Sequence, residues 1–131
     1  MLTAIDRMQR VAERLTARNA LCESFFEREA VRLAEACRAM SERFLAGGRL
    51  LAFGHGAYAT DAQHVSVEFV HPVIVGKRAL PALDLSILPG AWTEALLRRN
   101  DIVMGFGPVE GDAEVERILE YAAARGAMTF A

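Results

Sequence analysis

Arg49-Leu50-Leu51-Ala52-Phe53 is a short, mostly apolar run that enters Gly54-His55-Gly56-Ala57-Tyr58 and then continues into a helical pattern. Such a run bounded by glycines reads as a buried strand, and the small residues allow a tight turn. Thr60 and Gln63 have the spacing of a capping box for a helix over about Thr60 to Val70. A strand that passes into a helix this way is half of a crossover unit, and crossover units build parallel sheets. The alternation continues with a strand from about Ala79 to Leu85, a short helix from about Ala91 to Arg99 and a strand from Asp101 to Phe106. A helix from about Asp112 to Arg125 and a final strand beginning at Ala127 complete it. The chain is therefore expected to be α/β, with a parallel sheet of about four strands joined by right-handed crossovers. His71-Pro72 should stop the first crossover helix, because the residue before a proline disfavours helical angles.

Before the first strand, Met1 to about Ala46 shows helical periodicity without β character. Leu2, Ile5, Met8, Val11 or Ala12, and Leu15 form a narrow seam, Asn19 interrupts it, and a second helix follows. That helix carries a broad stripe through Leu21, Cys22, Phe25, Phe26, Ala30, Leu33, Ala34, Cys37, Met40 and Phe44, and ends at Gly47-Gly48. Residues 1–131 are thus read as one domain, with 1–46 an oligomerisation arm and 47–131 the parallel α/β core. A hydrophobic content of 53% is generous for this length, and surplus apolar surface usually means a partner. The expectation is a homo-oligomer, a tetramer or dimer, built through the N-terminal helices. The net charge of −2, with acids and bases interspersed, argues against nucleic acid and against an anionic membrane surface. No run reaches the length of a membrane span or a signal segment, so a cytoplasmic protein is expected. Cys22 and Cys37 lack the spacing of a zinc site and read as two reduced core thiols.

Chemistry concentrates after the first strand. The glycine turn aims backbone N–H groups and a helix N-terminus at one point, which suits an anion. The following helix carries Asp61, His64, Glu68 and His71 at steps of three, four and three, so all four lie along one stripe. Ligands of open parallel sheets bind outside the carboxyl ends of the strands, where the loops after Phe53, Leu85 and Phe106 should meet. Each residue also has an ordinary structural role open to it. Asp61 suits a helix start, His64 with Glu68 is a common helix-surface pair, and His71 is a helix-end residue. His55 could be a simple loop residue, Tyr58 an aromatic lid or subunit contact, and Asp112 a helix N-cap.

The segment resembles the sugar isomerase (SIS) domain family, in its phosphoheptose (sedoheptulose-7-phosphate) isomerase branch. The family pattern is Gly-Asn-Gly-Gly-Ser, three residues, Asp-Ala, one residue, His, three residues, Glu. Here Gly54-His55-Gly56-Ala57-Tyr58, Asp61-Ala62, His64 and Glu68 fall in the same register without a gap. The likeness extends to the helical arm, to Leu80-Pro81-Ala82-Leu83-Asp84-Leu85, and to Asn100-Asp101-Ile102-Val103-Met104-Gly105-Phe106-Gly107 with the helix and Gly126-Ala127-Met128-Thr129-Phe130 beyond. It implies a three-layer α/β/α sandwich. It also implies that Glu68 is a base moving a proton through an enediol, and that His64 helps hold zinc or another divalent metal. On this reading the metal set is His64 and Glu68 with His55 or His71 as helpers. The ligand-binding set is Gly54, His55, Gly56, Ala57, Tyr58, Asp61 and Gly107.

Two departures stand out. The family's phosphate loop, Ser-Thr-Ser-Gly-x-Ser, is here Gly107-Pro108-Val109-Glu110-Gly111-Asp112, without a hydroxyl and with two carboxylates. The family takes further ligands and its acid, a Gln and a His, from a helix after the last strand, and this sequence stops at Ala131. Two readings follow: a non-catalytic SIS module that binds a carbohydrate derivative or a protein partner as an oligomeric scaffold, or a sugar-phosphate aldose–ketose isomerase.

Overall fold

The computed structural model describes residues 3–131, so Leu2 of the N-terminal seam lies outside the described residues. By internal contacts the chain forms two compact units, one ending at Arg38 and the other spanning Ala39–Ala131.

The first unit is the bulk of a single helix, α1 (Ala4–Leu45), which runs through Asn19 without a break. The expectation of two helices is corrected. Neither Gly nor Pro occurs between its ends, and one asparagine costs only about 0.7 kcal/mol against alanine, too little to interrupt strong helix formers on both sides. A reciprocal cap starts it. Asp6 N–H donates to Thr3 Oγ1, and Thr3 N–H donates back to Asp6 Oδ2 at 2.9 Å. No residue of α1 is buried.

The second unit holds the last turns of α1 and a four-stranded parallel sheet in the order β2-β1-β3-β4. The strands are β1 (Leu50–Gly54), β2 (Ala82–Asp84), β3 (Ile102–Phe106) and β4 (Met128–Phe130). The helices between them are α2 (Ala59–Val70), α3 (Pro89–Leu96) and α4 (Ala113–Ala123). Alternate side chains of the central strands face opposite layers. Leu51, Phe53 and Val103 pack with Val115, Ile118, Leu119 and Ala122 of α4, flanked by Trp92 and Leu97. Leu50 and Ile102 pack on the other side with Val65 and Phe69 of α2 and with Met40 and Phe44 from the end of α1. This is the three-layer α/β/α sandwich.

Strand β2 is shorter than the sequence suggests, because Pro81 has no N–H for the ladder and Leu80 N–H donates to Phe69 O instead. Helix α3 starts earlier, with Pro89 in its first turn, and ends at Leu96. Its end is set by Asp101, a fully buried carboxylate that accepts from Arg98 N–H, from Arg49 N–H and from the Arg49 guanidinium at 2.6 Å. Among the described residues no helix is long and apolar enough to cross a membrane.

Candidate functional site

The chain leaves β1 for α2 on one face of the sheet and leaves β3 for α4 on the other. The carboxyl ends of these neighbouring strands are therefore a topological switch point, where a crevice must open. A cleft of about 430 Å³ lies there, lined by Gly54, His55, Gly56, Ser86, Gly90, Glu114 and Arg117 among others.

Its floor is a turn that needs glycine. A Cβ on Gly54 would stand 2.2 Å from Tyr58 O, and Gly56 sits at φ +60°. Residues Gly56–Tyr58 form one turn of 3-10 helix that leads into α2. The expected capping box is corrected: Thr60 lies inside α2, Tyr58 precedes it without a side-chain cap, and Thr60 Oγ1 donates to Ala57 O. The end of β1 is tied to its neighbours instead. Gly54 N–H donates to Ser86 Oγ at 3.1 Å, His55 N–H donates to Phe106 O, and Asp84 Oδ1 accepts from both Ser86 N–H and its hydroxyl.

Across the cleft mouth, His55 Nδ1 lies 2.8 Å from Asp112 Oδ2. Asp112 is the N-cap of α4, and its other oxygen accepts from Glu114 N–H and Val115 N–H at 2.9 and 3.1 Å. The hydrogen bond to Asp112 and the charge of that carboxylate raise the His55 pKa above its ordinary 6.5. The hydrogen bond from His55, and then those from the helix amides, lower Asp112 below 3.8. Gly107 lies beneath this contact; a Cβ there would approach Asp112 Cβ to 3.4 Å.

The acid–histidine stripe of α2 lies elsewhere. His64 Nε2 and Glu68 Oε1 are 3.6 Å apart, with side chains 76% and 45% exposed, and neither lines the cleft. Asp61 is exposed in the first turn of α2, but His71 is the C-cap beyond its end, with φ −130° and ψ 69°, so the expected four-residue stripe is corrected: it ends at Glu68. Tyr58 and Ala57 are exposed in the turn outside the cleft lining. The structure thus brings Gly54, His55 and Gly56 together around the cleft, with Gly107 behind Asp112, and places His64 and Glu68 apart from them. His64 and Glu68 offer two donor atoms, whereas a catalytic zinc takes three protein ligands. Among the described residues no group of three His, Cys, Asp or Glu side chains is placed to hold a metal, so this donor set does not fit a closed metal centre within one chain.

Ser86, Gly90, Glu114 and Arg117 line the cleft and were missed from sequence. Only Ser86 carried a signal, since Asp-x-Ser after a strand is the pattern of an Asx turn. Arg117 looks in sequence like any solvated helix residue; in the fold its Nη2 would lie 3.0 Å from a Cβ on Gly90.

No protein-family model matches the chain. It is 34% identical to the phosphoheptose isomerase of Desulfovibrio desulfuricans, over 83% of this chain and 60% of that protein, so it spans about 60% of that relative's length. It is 30% identical to the phosphoheptose isomerase of Pelobacter propionicus, over 91% of this chain and 71% of that one. The phosphoheptose isomerase structure from Neisseria gonorrhoeae superposes with a TM-score of 0.77 at 20% identity, over 93% of this chain and 72% of that one. The one from Francisella tularensis gives 0.75 at 19% identity, over 98% and 74%. The structures share the fold, and the sequence relatives carry the lineage: the chain belongs to the phosphoheptose isomerase family of sugar isomerase (SIS) domain proteins.

Proposed function

We propose that this protein is a SIS module that binds a carbohydrate derivative in the cleft at the ends of β1 and β3, as an oligomeric scaffold, and that it has lost phosphoheptose isomerase activity. The observation that carries this reading is the makeup of the loop after β3. Where the resemblance calls for serine hydroxyls around a phosphate, the loop has Pro108, which lacks an N–H, together with Glu110 and Asp112. Glu114, one residue into α4, adds another carboxylate to the cleft wall. A phosphate dianion approaching the start of this wall meets the carboxylates of Asp112 and Glu114, with Arg117 about one turn further along α4. The position of Glu68 supports the same reading, because its side chain is 45% exposed on α2 and does not line the cleft, so it is not placed against a ligand held there.

The alternative, an aldose–ketose isomerase with Glu68 as base and His64 as metal ligand, draws on their 3.6 Å approach and needs a second subunit to cover α2. Oligomerisation itself is part of the proposal. Ile5, Met8, Leu15, Phe25 and Phe26 are exposed along α1, and so long a helix gains its stability from packing rather than from propensity. Thermal shift with unphosphorylated sugars, sugar phosphates and zinc tests the reading. A fitting ligand at a hundredfold excess over its Kd stabilises by about 2.7 kcal/mol. Stabilisation by an unphosphorylated sugar derivative is expected; stabilisation by sugar phosphate and zinc together favours the isomerase.

A further inference from the structure

The wall that α4 gives to the cleft carries both signs of charge. Glu114 and Arg117 both line the cleft and, three residues apart on one helix, are neighbours with Cβ atoms roughly 5–6 Å apart. A carboxylate only accepts hydrogen bonds, which suits sugar hydroxyls, and a guanidinium only donates, which suits an anion. The guanidinium is also unspent. Among the described residues it makes no hydrogen bond, and its ion pair with Glu94 is 4.0 Å long between side chains each more than half exposed, a contact worth little. His55, the other basic residue of the lining, is engaged by Asp112 instead. Gly90, in the first turn of α3, makes room for the guanidinium, since a Cβ there would stand 3.0 Å from Arg117 Nη2. Beside Gly90 the lining continues with Ile87 and Leu88, whose exposed side chains offer an apolar face.

We propose that Arg117 anchors a sugar acid in the cleft, a ligand whose ring carries a carboxylate, while Glu114 accepts from hydroxyls of the same ring. The proposal rests on the reading of the cleft as a carbohydrate site and deepens it by naming the ligand class. Either a carboxylate or a phosphate can take two parallel N–H···O bonds from a guanidinium. Charge decides between them. One guanidinium balances the single charge of a carboxylate, whereas the second charge of a phosphate dianion would be left facing Glu114 one turn away. The spacing of Glu114 and Arg117 is comparable with the width of one pyranose ring, so one hexuronate can meet both, leaving Ile87 and Leu88 for its C–H face.

The test is isothermal titration of the full chain with glucuronate, galacturonate and mannuronate, each beside its neutral hexose and its hexose 6-phosphate. At least one hexuronate should bind the wild type about tenfold or more tighter than its neutral hexose, the gain expected of a charge-assisted pair, and tighter than its hexose 6-phosphate. Arg117→Met should erase that advantage, and Arg117→Lys should keep part of it, because the charge remains without the fork. Gly90→Ala displaces the guanidinium and should weaken hexuronate binding with Arg117 itself intact. Hexuronates that bind no tighter than their neutral hexoses, or whose binding is unchanged in Arg117→Met, would overturn the proposal and leave the carbohydrate reading standing. Tighter binding of every hexose 6-phosphate than of its hexuronate would overturn it too. If no sugar of the panel binds, the carbohydrate reading falls and the proposal falls with it.

Discussion

His55 and Asp112 are joined by one contact whose pH dependence is fixed in sign. The His55 pKa is raised, so its contribution to stability is complete below 6.5 and is lost as pH rises through the higher folded value. The Asp112 pKa is lowered, so its contribution is complete above 3.8 and is lost as pH falls through the lower folded value. The clasp is fully formed between these limits. Proton NMR of the His55 ring should give a midpoint above 6.5 in the wild type, returning towards 6.5 in Asp112→Asn. An unchanged midpoint would mean the contact is absent in solution. A second prediction concerns Gly54, whose Cβ would overlap Tyr58 O. Gly54→Ala should cost about 1–3 kcal/mol or more in urea unfolding, because the obstacle is backbone and cannot rotate away. The need for glycine in this turn could be read from the sequence, because a strand entering a helix within so few residues leaves little room for a Cβ. The partner of His55 could not, since 57 residues separate it from Asp112 and no periodicity links them.

The elements are held in place by a few buried contacts more than by propensity. Asp101 ties the start of β1, the end of α3 and the approach to β3 through Arg49 and Arg98. Its side chain is fully buried and that of Arg49 is 16% exposed, so removing one partner strands the other charge. Asp101→Ala should therefore destabilise by about 3–5 kcal/mol, read as a lower urea midpoint; a loss under 1 kcal/mol would contradict the account. Strands β1 and β3 stood out in sequence because each is a continuous apolar run, as parallel strands covered on both faces must be. Their edge neighbour β2 reads longer in the sequence than it is in the fold, because apolar character alone does not show that Pro81 cannot donate. Asn19 is too weak a breaker against a helix whose remaining residues favour continuation, and Thr60 falls inside α2 rather than at its cap because the 3-10 turn Gly56–Tyr58 runs straight into the helix at Ala59. Strand order had no signal in the periodicity; it follows from which neighbours the crossover helices can cover.

At the scale of the molecule, the exposed apolar residues of α1 are the basis of the proposed assembly. Light scattering should give a multiple of the 14.3 kDa chain mass at micromolar concentration, and Phe25→Asp with Leu33→Asp should lower it, because a charge buried unpaired in an interface is costly. A monomer mass for the wild type would reject an assembly through the arm. The family was readable in the register from Gly54 to Glu68, but that register maps equivalent positions and does not show which of them meet: in the fold His55 lines the cleft and Glu68 does not. The loss of isomerase activity is the central claim, and turnover of sedoheptulose 7-phosphate by the purified full chain, measured with and without added zinc beside Glu68→Gln, tests it most directly. The account predicts wild-type turnover indistinguishable from that of Glu68→Gln; turnover in the wild type that Glu68→Gln abolishes would contradict it.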